Sequence, residues 1–144
     1  MNVVQPVDRS TTLQIHMTQP TRPTNAQLTL LSVLWELGSA TVREVHEALP
    51  EANKRGYTTT LKQLQLMAEA GLVGRDESSR SHVYRPIANE EETKGFLIDD
   101  LLDKAFGGSA AQLVMGALSK RRSSPAELDQ IRDLLARIES EEGA

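Results

Sequence analysis

The residues of this chain whose types and spacing are best suited to chemistry lie on one helix near its middle. A helix beginning at Tyr57 advances by 100° per residue, so one of its faces collects hydroxyls, amides and a cation. These residues are Thr58, Thr59 and Lys62, with Gln63 and Gln65 toward the flanks. Because such groups hydrogen-bond to base edges and phosphates in a DNA major groove, the pattern predicts a helix that reads DNA sequence.

Arginines occur before and after this helix along the chain. Arg43 belongs to a short helix that precedes it, and a stretch typical of a hairpin follows with three more: Arg75, Arg80 and Arg85. Any one of them could be an ordinary solvated surface residue. The ordered set of a short helix, a polar helix face and a basic hairpin instead favours contacts with the sugar-phosphate backbone.

The elements that must position these residues carry local signals. Thr41 and Glu44 form a capping box, and Pro50 stops the helix that they begin. The helical period predicts the inward face of the next helix: Tyr57, Thr60, Leu61, Leu64, Met67, Ala68 and Gly71. Short β-prone runs at 72–73 and 83–84, separated by turn residues at 76–81, predict the hairpin.

A further helix is predicted upstream. Thr24 and Gln27 make a second capping box, and the helix ends at Gly38. Its apolar stripe is Leu30, Val33, Leu34 and Leu37, widened by Leu28, Leu31 and Trp35, with Trp35 as a core anchor. The predicted fold is therefore mainly α: an N-terminal winged helix-turn-helix, made of three helices and a β-hairpin wing, followed by a three-helix dimerisation region.

These signals predict three parts of the chain. Residues 1–23 hold three of the six prolines and are predicted to be a flexible tail, in which Arg9 and Arg22 could touch phosphate. Residues 24–87 form the predicted winged-helix DNA-binding domain. Residues 88–144 form the predicted helical dimerisation domain, with helix starts at Asn89, Ser109 and Ser124 and a break at Gly107-Gly108.

Apolar residues on these last helices cover a wider arc than a small three-helix segment can bury by itself. The predicted dimerisation residues are Leu97, Leu101, Leu102, Phe106, Leu113, Val114, Ala117, Leu118, Leu128, Ile131 and Leu135. A second copy of the chain is the expected cover, and packing against the winged domain is the alternative.

Catalysis and cofactor binding are not favoured. His46 and Glu47 begin like the helix of a zinc protease, but Pro50 stands where the second histidine is required. The other histidines, His16 and His82, have no spacing that joins them into a ligand set, and neither a phosphate-cradling glycine loop nor a nucleophile elbow is present. The sequence predicts no enzyme activity, no metal site and no cofactor.

Composition and charge limit the function further. The absence of cysteine excludes disulfides, thiol catalysis and cysteine-ligated metal, and the lack of a long apolar run or a signal peptide predicts a cytoplasmic protein without membrane insertion. The net charge of −4 is unevenly distributed: residues 1–87 carry +1 and residues 88–144 carry −5. DNA binding needs a local basic surface, and residues 54–85 hold six cations against three anions.

Several motifs, in order, resemble the penicillinase and methicillin-resistance repressor family (the BlaI/MecI/CopY type). They are Thr41-Val42-Arg43-Glu44-Val45, Gly56-Tyr57-Thr58-Thr59, Gly71-Leu72-Val73, Tyr84-Arg85-Pro86, the run from Leu101 to Gly108, and Leu113-Val114. The resemblance covers residues 24–138. It implies a homodimeric transcriptional repressor bound to a palindromic double-stranded DNA operator, often one with a TACA/TGTA dyad upstream of the repressor's own operon.

The same resemblance implies release of repression by a sensor-linked peptidase that cuts the dimerisation region at an Asn-Phe bond. Alignment on Leu113-Val114 places this region at Met115, Gly116 and Ala117, where neither Asn nor Phe is present. The copper-responsive branch binds metal through C-terminal cysteines, which this chain lacks. The alternative function is a helical protein-interaction adaptor, which would require neither the polar helix face nor the basic hairpin.

Overall fold

The computed structural model describes residues 22–143, and the predicted tail at 1–23, with Arg9, therefore lies almost wholly outside the described residues. The described chain divides into two compact units, one ending at Gly95 and the other beginning at Phe96. This division falls inside a helix, a little beyond the predicted change at 87–88. The assignment of a DNA-binding and a dimerisation role to two domains stays a prediction.

Three helices form the bulk of the N-terminal unit. Helix α1 spans Asn25–Leu37, α2 spans Val42–Ala48 and α3 spans Tyr57–Glu69, with a single 3-10 turn at Glu51–Asn53. Both predicted capping boxes are confirmed: the hydroxyls of Thr24 and Thr41 accept the backbone N–H of Gln27 and Glu44, respectively, whose side chains return the bond. Each box satisfies two otherwise unpaired amides, so the two helices begin at defined residues.

A small antiparallel sheet completes the unit. Its strands are β1 (Ala40–Thr41), β2 (Val73–Asp76) and β3 (Val83–Pro86), in the order β1-β3-β2. The hairpin of β2 and β3 was predicted, whereas β1 was not. Because β1 is two residues long, it has no alternating pattern to detect, and it pairs with residues more than forty positions away.

The core lies where the three helices meet this sheet. It consists of Leu30, Leu31, Leu34, Ala40, Val42, Val45, Leu49, Leu64, Met67, Leu72, Val73 and Tyr84. Trp35 packs against the core, as predicted, and its indole Nε1 donates to the carbonyl oxygen of Ala88 at 2.9 Å. The core contacts of Leu64 and Met67 fix the position of α3.

Three residues predicted to face inward, Leu37, Tyr57 and Gly71, are exposed. Leu37 is 46% exposed and Tyr57 is 43% exposed. Each lies at one end of its helix, beyond the neighbouring elements that would cover it. The helical period gives the direction of a side chain correctly but does not show where the packing partner stops.

The C-terminal unit is helical. Helix α4 spans Glu90–Ala105 and enters this unit at Phe96, α5 spans Ala110–Lys120, and α6 spans Pro125–Gly143. The predicted caps are confirmed at Asn89, Ser109 and Ser124, whose side-chain oxygens accept backbone N–H groups. Gly107 and Gly108 have φ of 55° and 79°, a left-handed conformation that ends α4 and favours glycine. The fold class, a winged helix-turn-helix followed by a helical region, is therefore confirmed.

Candidate nucleic-acid interface

Helix α3 separates its anchoring residues from its exposed polar residues. Thr60, Leu64 and Met67 are buried, and Leu61 and Ala68 pack partly against the core. The residues predicted to contact bases are Thr58, Thr59, Lys62 and Gln65, all exposed, and Gln63, which is half-buried. A helix anchored at three buried points presents its outer face in a constant position, as sequence-specific recognition requires.

The start of α3 is held by a polar contact with α2. Thr60 is only 3% exposed, and its Oγ1 lies 2.9 Å from His46 Nδ1. A buried hydroxyl without a partner would destabilise the fold, so this hydrogen bond satisfies Thr60 and sets the position of α3 against α2. The histidine therefore has a structural partner.

Tyr57 lies beside this contact, at the first position of α3. Its ring meets the His46 ring edge-on, with centroids 5.7 Å apart and an interplanar angle of 75°. The Arg43 guanidinium lies 5.6 Å from the centroid of the Tyr57 ring, within the range of a cation–π interaction. Tyr57, predicted as a core residue, is instead an exposed ring that joins α2 to the outer surface of α3.

The hairpin supplies cations in different environments. Arg75 lies opposite Tyr84 in the sheet and makes an ion pair with Glu77 at 2.6 Å. The Tyr84 hydroxyl, followed by Glu77, raises the pKa of Arg75 above its usual range. The buried Tyr84 hydroxyl has no hydrogen-bond partner among the described residues. Arg75 is therefore a cation already engaged within the wing.

The turn of the hairpin is organised by Asp76. Its Oδ1 accepts the backbone N–H of Ser78 at 2.9 Å, and this bond holds the pKa of Asp76 below its usual range. Beyond this turn, Arg80 is exposed. Arg85 pairs with Gly74 in the sheet. The Arg85 guanidinium packs directly against Gly74, in the space that a larger residue's side chain would need: a Cβ at position 74 would lie 2.6 Å from Arg85 Nη1.

Cations differ in whether they have a carboxylate partner. In residues 22–143, ion pairs involve Lys54, Arg75, Lys94, Lys104 and Arg132. Of the cations predicted to contact DNA, Arg75 is the one with an ion-pair partner among the described residues. No carboxylate lies within ion-pair distance of Arg43, Lys62, Arg80 or Arg85 in the described part of the chain. These four cations keep their charge available for an external anion.

Two concave surfaces border α3. One, of about 360 Å³, is a cleft whose lining comes from the start of α2, the start of α3 and the wing. Its residues are Thr41, Val42, Arg43, Tyr57, Leu61, Arg80, Ser81, His82 and Tyr84. The other, of about 370 Å³, brings Arg55, Thr59 and Gln63 together with the first turn of α1. The predicted DNA contacts did not include Tyr57, His82 or Arg55. Only the fold brings these three residues beside the predicted contact residues.

The predicted dimerisation residues form exposed or half-buried apolar surface on α4, α5 and α6. Leu97, Leu101, Val114, Leu118 and Leu135 are exposed, as is Ala117, whereas Leu102, Phe106, Leu113, Leu128 and Ile131 are half-buried. Ile98, Met115, Leu134 and Ile138 enlarge this surface. The predicted cleavage region lies inside α5, with Met115 60% exposed.

The part of the chain that the structure describes has neither a metal-binding cluster nor a membrane-spanning helix. Residues 22–143 contain no group of three or more His, Asp or Glu arranged to hold a metal ion. No helix in this part of the chain combines the length and the apolar character needed to cross a membrane.

A model of the penicillinase repressor family matches residues 23–137. The transcriptional regulator BlaI of Mycobacterium tuberculosis, from strains CDC 1551 / Oshkosh and ATCC 25618 / H37Rv, is 30% identical over 128 residues, which cover 88% of this chain and 92% of that protein. The segment matched by the family model, residues 23–137, includes the whole of α1 to α5 and most of α6.

Two repressors are among the solved structures that the chain matches. A CopR repressor is 26% identical, with a TM-score of 0.41, and the match covers 48% of this chain and 100% of that chain. The DNA-binding domain of the repressor BlaI, solved in solution, is 22% identical, with a TM-score of 0.44, over 51% of this chain and 93% of that domain.

Proposed function

This chain belongs to the penicillinase repressor family, and we propose that it represses transcription by binding a palindromic DNA operator as a homodimer. Members of this family are transcriptional repressors rather than enzymes, and no catalytic role is proposed here. Since a repressor acts on the chromosome, the proposed location is the cytoplasm. The proposed partners are double-stranded DNA, a second copy of the chain and a sensor-linked peptidase.

The observation that carries this proposal is the two-sided character of α3. Its inner side is fixed by Thr60, Leu64 and Met67, and its outer side presents exposed hydroxyl, amide and ammonium groups. Thr58, Thr59 and Lys62 are the proposed base contacts, with Gln63 and Gln65 beside them. Arg43, Arg75, Arg80 and Arg85 are the proposed backbone contacts. A helix of this kind inserts into the major groove, which displays a distinct donor and acceptor pattern for each base pair.

The test is selection of DNA by the full chain from a random duplex library, followed by titration of the selected duplex and a scrambled one at several salt concentrations. We expect an inverted repeat whose half-sites lie about 10 bp, or a multiple of that, apart. We also expect weaker binding to both duplexes as salt rises, because cations on the protein replace counterions on DNA. Equal affinity for the selected and scrambled duplexes would contradict the proposal and favour the adaptor.

The exposure of apolar side chains on the C-terminal helices supports the proposed dimer. Among the described residues, no side chain of α5 or α6 is buried, and Thr93 is the one buried residue of α4. Thirteen large apolar side chains of the described chain are exposed, and nine of them belong to these helices. Apolar surface of this extent on one unit is typical of a protein–protein interface. Two linked half-site contacts then bind DNA far more tightly than one.

Release of repression by proteolysis is the finer part of the proposal. Gly116-Ala117, where the family's cleaved bond aligns, lies in the middle of α5 (Ala110–Lys120). A peptidase binds extended chain, so cleavage there requires local unfolding of α5, which Gly116 makes easier by about 0.5–1 kcal/mol relative to alanine. Cutting α5 there would separate its C-terminal half and the whole of α6 from the DNA-binding unit, while α4 would stay attached. The loss of this apolar surface would weaken the dimer and with it bivalent binding.

This mechanism can be followed in the host organism. During cell-wall stress, an immunoblot of the repressor should show a shortened fragment before transcripts of the controlled operon rise. A Gly116→Ala variant, which stiffens α5, should delay both events, whereas Gly143→Ala, at the far end of α6, should delay neither. Derepression while the full-length repressor persists would reject proteolysis and favour an effector or a titrating partner.

A further inference from the structure

We propose that the cleft between the start of α2, the start of α3 and the wing holds a single phosphate of the operator backbone, bound jointly by Arg43, Arg80 and the hydroxyl of Tyr57. This inference rests on the proposed function and adds to it. It assigns two arginines on different elements to the same phosphate, and it gives Tyr57 a direct role in binding DNA.

The composition of the cleft points to an anion. Arg43, Arg80 and His82 line it, together with Thr41, Ser81 and Tyr57, which carry hydroxyls, and no Asp or Glu does. In the described residues, a neighbouring concavity at the other end of α2 has the opposite character, with Glu44 and Glu47 in its lining. Phosphate is the anion that a DNA-binding surface meets, and guanidinium groups and hydroxyls are its usual ligands.

Tyr57 is the residue whose state is hardest to explain otherwise. It is 43% exposed. The Arg43 guanidinium lies 5.6 Å from the centroid of its ring, and the His46 ring makes a T-shaped contact with it, with centroids 5.7 Å apart. The described residues provide no hydrogen-bond partner for its hydroxyl. An oriented ring with an unused hydroxyl is suited to donating to a phosphate oxygen.

The two arginines are brought to the cleft by different parts of the fold. Arg43 comes from the first turn of α2, and Arg80 comes from the loop between β2 and β3. Neither has a carboxylate within ion-pair distance in residues 22–143, so a shared anion would neutralise both. Binding one phosphate between them would also fix the wing relative to α3. The wing would then set how deeply α3 enters the groove.

His46 acts as a positioning residue in this scheme. Its Nδ1 contacts Thr60 Oγ1 at 2.9 Å while its ring edge supports Tyr57. It therefore links the fixed side of α3 to the ring that would meet the phosphate. His46 does not line the cleft and is not proposed to contact DNA.

The decisive experiment replaces phosphates of the selected operator duplex one at a time by uncharged methylphosphonate and measures binding of the full chain. One position in each half-site should weaken binding of the unaltered protein about tenfold, as expected for loss of a charge-assisted contact. Arg43→Ala and Arg80→Ala should each weaken binding to the natural duplex. On the duplex that carries methylphosphonate at this position, both variants should bind as tightly as the unaltered protein does.

Tyr57→Phe keeps the ring and both of its contacts, and it should lose affinity only on duplexes that retain this phosphate. Arg122→Ala, a change at an exposed cation of the C-terminal unit, serves as the matched control and should respond to every phosphate like the parent. Circular dichroism of each variant verifies that it is folded. A His46→Gln variant, which can still hydrogen-bond to Thr60 but lacks the ring that meets Tyr57, should recover only part of the binding that His46→Ala loses.

Salt dependence gives a second, independent readout. The double variant with Arg43→Ala and Arg80→Ala should reduce the slope of log affinity against log salt by about 0.9 for each half-site if the two arginines share one phosphate. If they contact two different phosphates, the reduction should be about 1.8 for each half-site. Mapping of Arg43→Ala and Arg80→Ala to different phosphates, or unchanged affinity of Tyr57→Phe, would overturn the inference while leaving the repressor assignment intact. Failure of the full chain to prefer any duplex would instead overturn the proposed function.

Discussion

Three consecutive threonines at the start of α3 have different environments. Thr58 and Thr59 are exposed, whereas Thr60 is buried and hydrogen-bonded to His46. The difference follows from the 100° turn per residue, which carries the third side chain to the inner face. A hydroxyl on the outside is available to DNA, and a hydroxyl on the inside needs a protein partner. The same residue type is therefore proposed for DNA recognition at Thr59, whereas at Thr60 it makes a hydrogen bond inside the protein.

This difference predicts opposite outcomes for two small substitutions. Thr59→Ala should weaken operator binding by about 1–3 kcal/mol, with little effect on scrambled DNA, because a base contact carries sequence information. The free energy of unfolding of the Thr59→Ala variant should equal that of the parent protein. Thr60→Val should instead lower the free energy of unfolding by about 1–3 kcal/mol, since His46 Nδ1 would lose its partner.

Fluorescence anisotropy on operator and scrambled duplexes measures the first effect, and urea denaturation measures the second. Lys62→Ala should behave like Thr59→Ala, and Arg80→Ala should weaken both duplexes about equally. If Thr59→Ala and Lys62→Ala bind both duplexes like the parent, α3 is not the recognition helix.

At the scale of elements, the wing is joined to α1 by residues that follow it. The backbone N–H groups of Ile87 and Ala88 both donate to the carbonyl oxygen of Leu72, and the Ala88 carbonyl accepts the Trp35 indole. Thr93, in the first turns of α4, is also buried. The N-terminal folding unit therefore continues past residue 87, and a fragment ending at Pro86 would lose these contacts.

Trp35→Phe tests the importance of this junction. The phenyl ring retains most of the apolar contact but leaves the partly buried Ala88 carbonyl without its donor. We expect the free energy of unfolding of the N-terminal unit to fall by about 1–3 kcal/mol. Circular dichroism is the appropriate measurement, because Trp35 is the only tryptophan and its fluorescence is lost in the variant.

Leu37→Ala provides the control for this change. Leu37 belongs to the same helix but is half-exposed, so its truncation should have a clearly smaller effect. Equal destabilisation by the two substitutions would show that the indole hydrogen bond does not stabilise the junction.

At the scale of the whole molecule, charge and apolar surface are divided between two halves. Residues 88–144 carry a net charge of −5, yet their helices expose much of the apolar surface of the chain. Acidic groups are repelled by DNA, whereas exposed leucines favour association with another protein surface. This distribution suits a molecule that meets DNA with one half and its own copy with the other.

A charged substitution on α6 tests this arrangement. Leu135 is 53% exposed in the single chain, so Leu135→Glu should leave each chain folded. If the residue is covered in a dimer, the buried carboxylate should shift the protein to monomer and reduce operator affinity through lost bivalency. Analytical ultracentrifugation and anisotropy on the same preparations measure the two effects.

Ala136→Glu adds the same carboxylate one position later, on the side of α6 turned away from the apolar stripe. It should leave the dimer and the operator affinity unchanged. A Leu135→Glu variant that sediments like the parent would exclude α6 from the interface.

The amino-acid sequence by itself determined the features that depend on near neighbours. The capping boxes at Thr24 and Thr41 join residues three positions apart, and the structure contains both. The inner face of α3 followed from its period, as the burial of Leu64 and Met67 confirms. These predictions succeed because caps and helix faces are set by interactions within one or two turns.

Only the tertiary structure decided which distant residues meet. It paired Ala40 with Tyr84 in an unforeseen strand, linked His46 to Thr60, and brought Arg43 and Arg80 to the same cleft. It also left Tyr57 on the surface, where helical periodicity predicted a core position. Periodicity specifies a direction around a helix axis, whereas burial also requires a neighbouring element at that level. Where each neighbour begins and ends depends on how all the elements pack together.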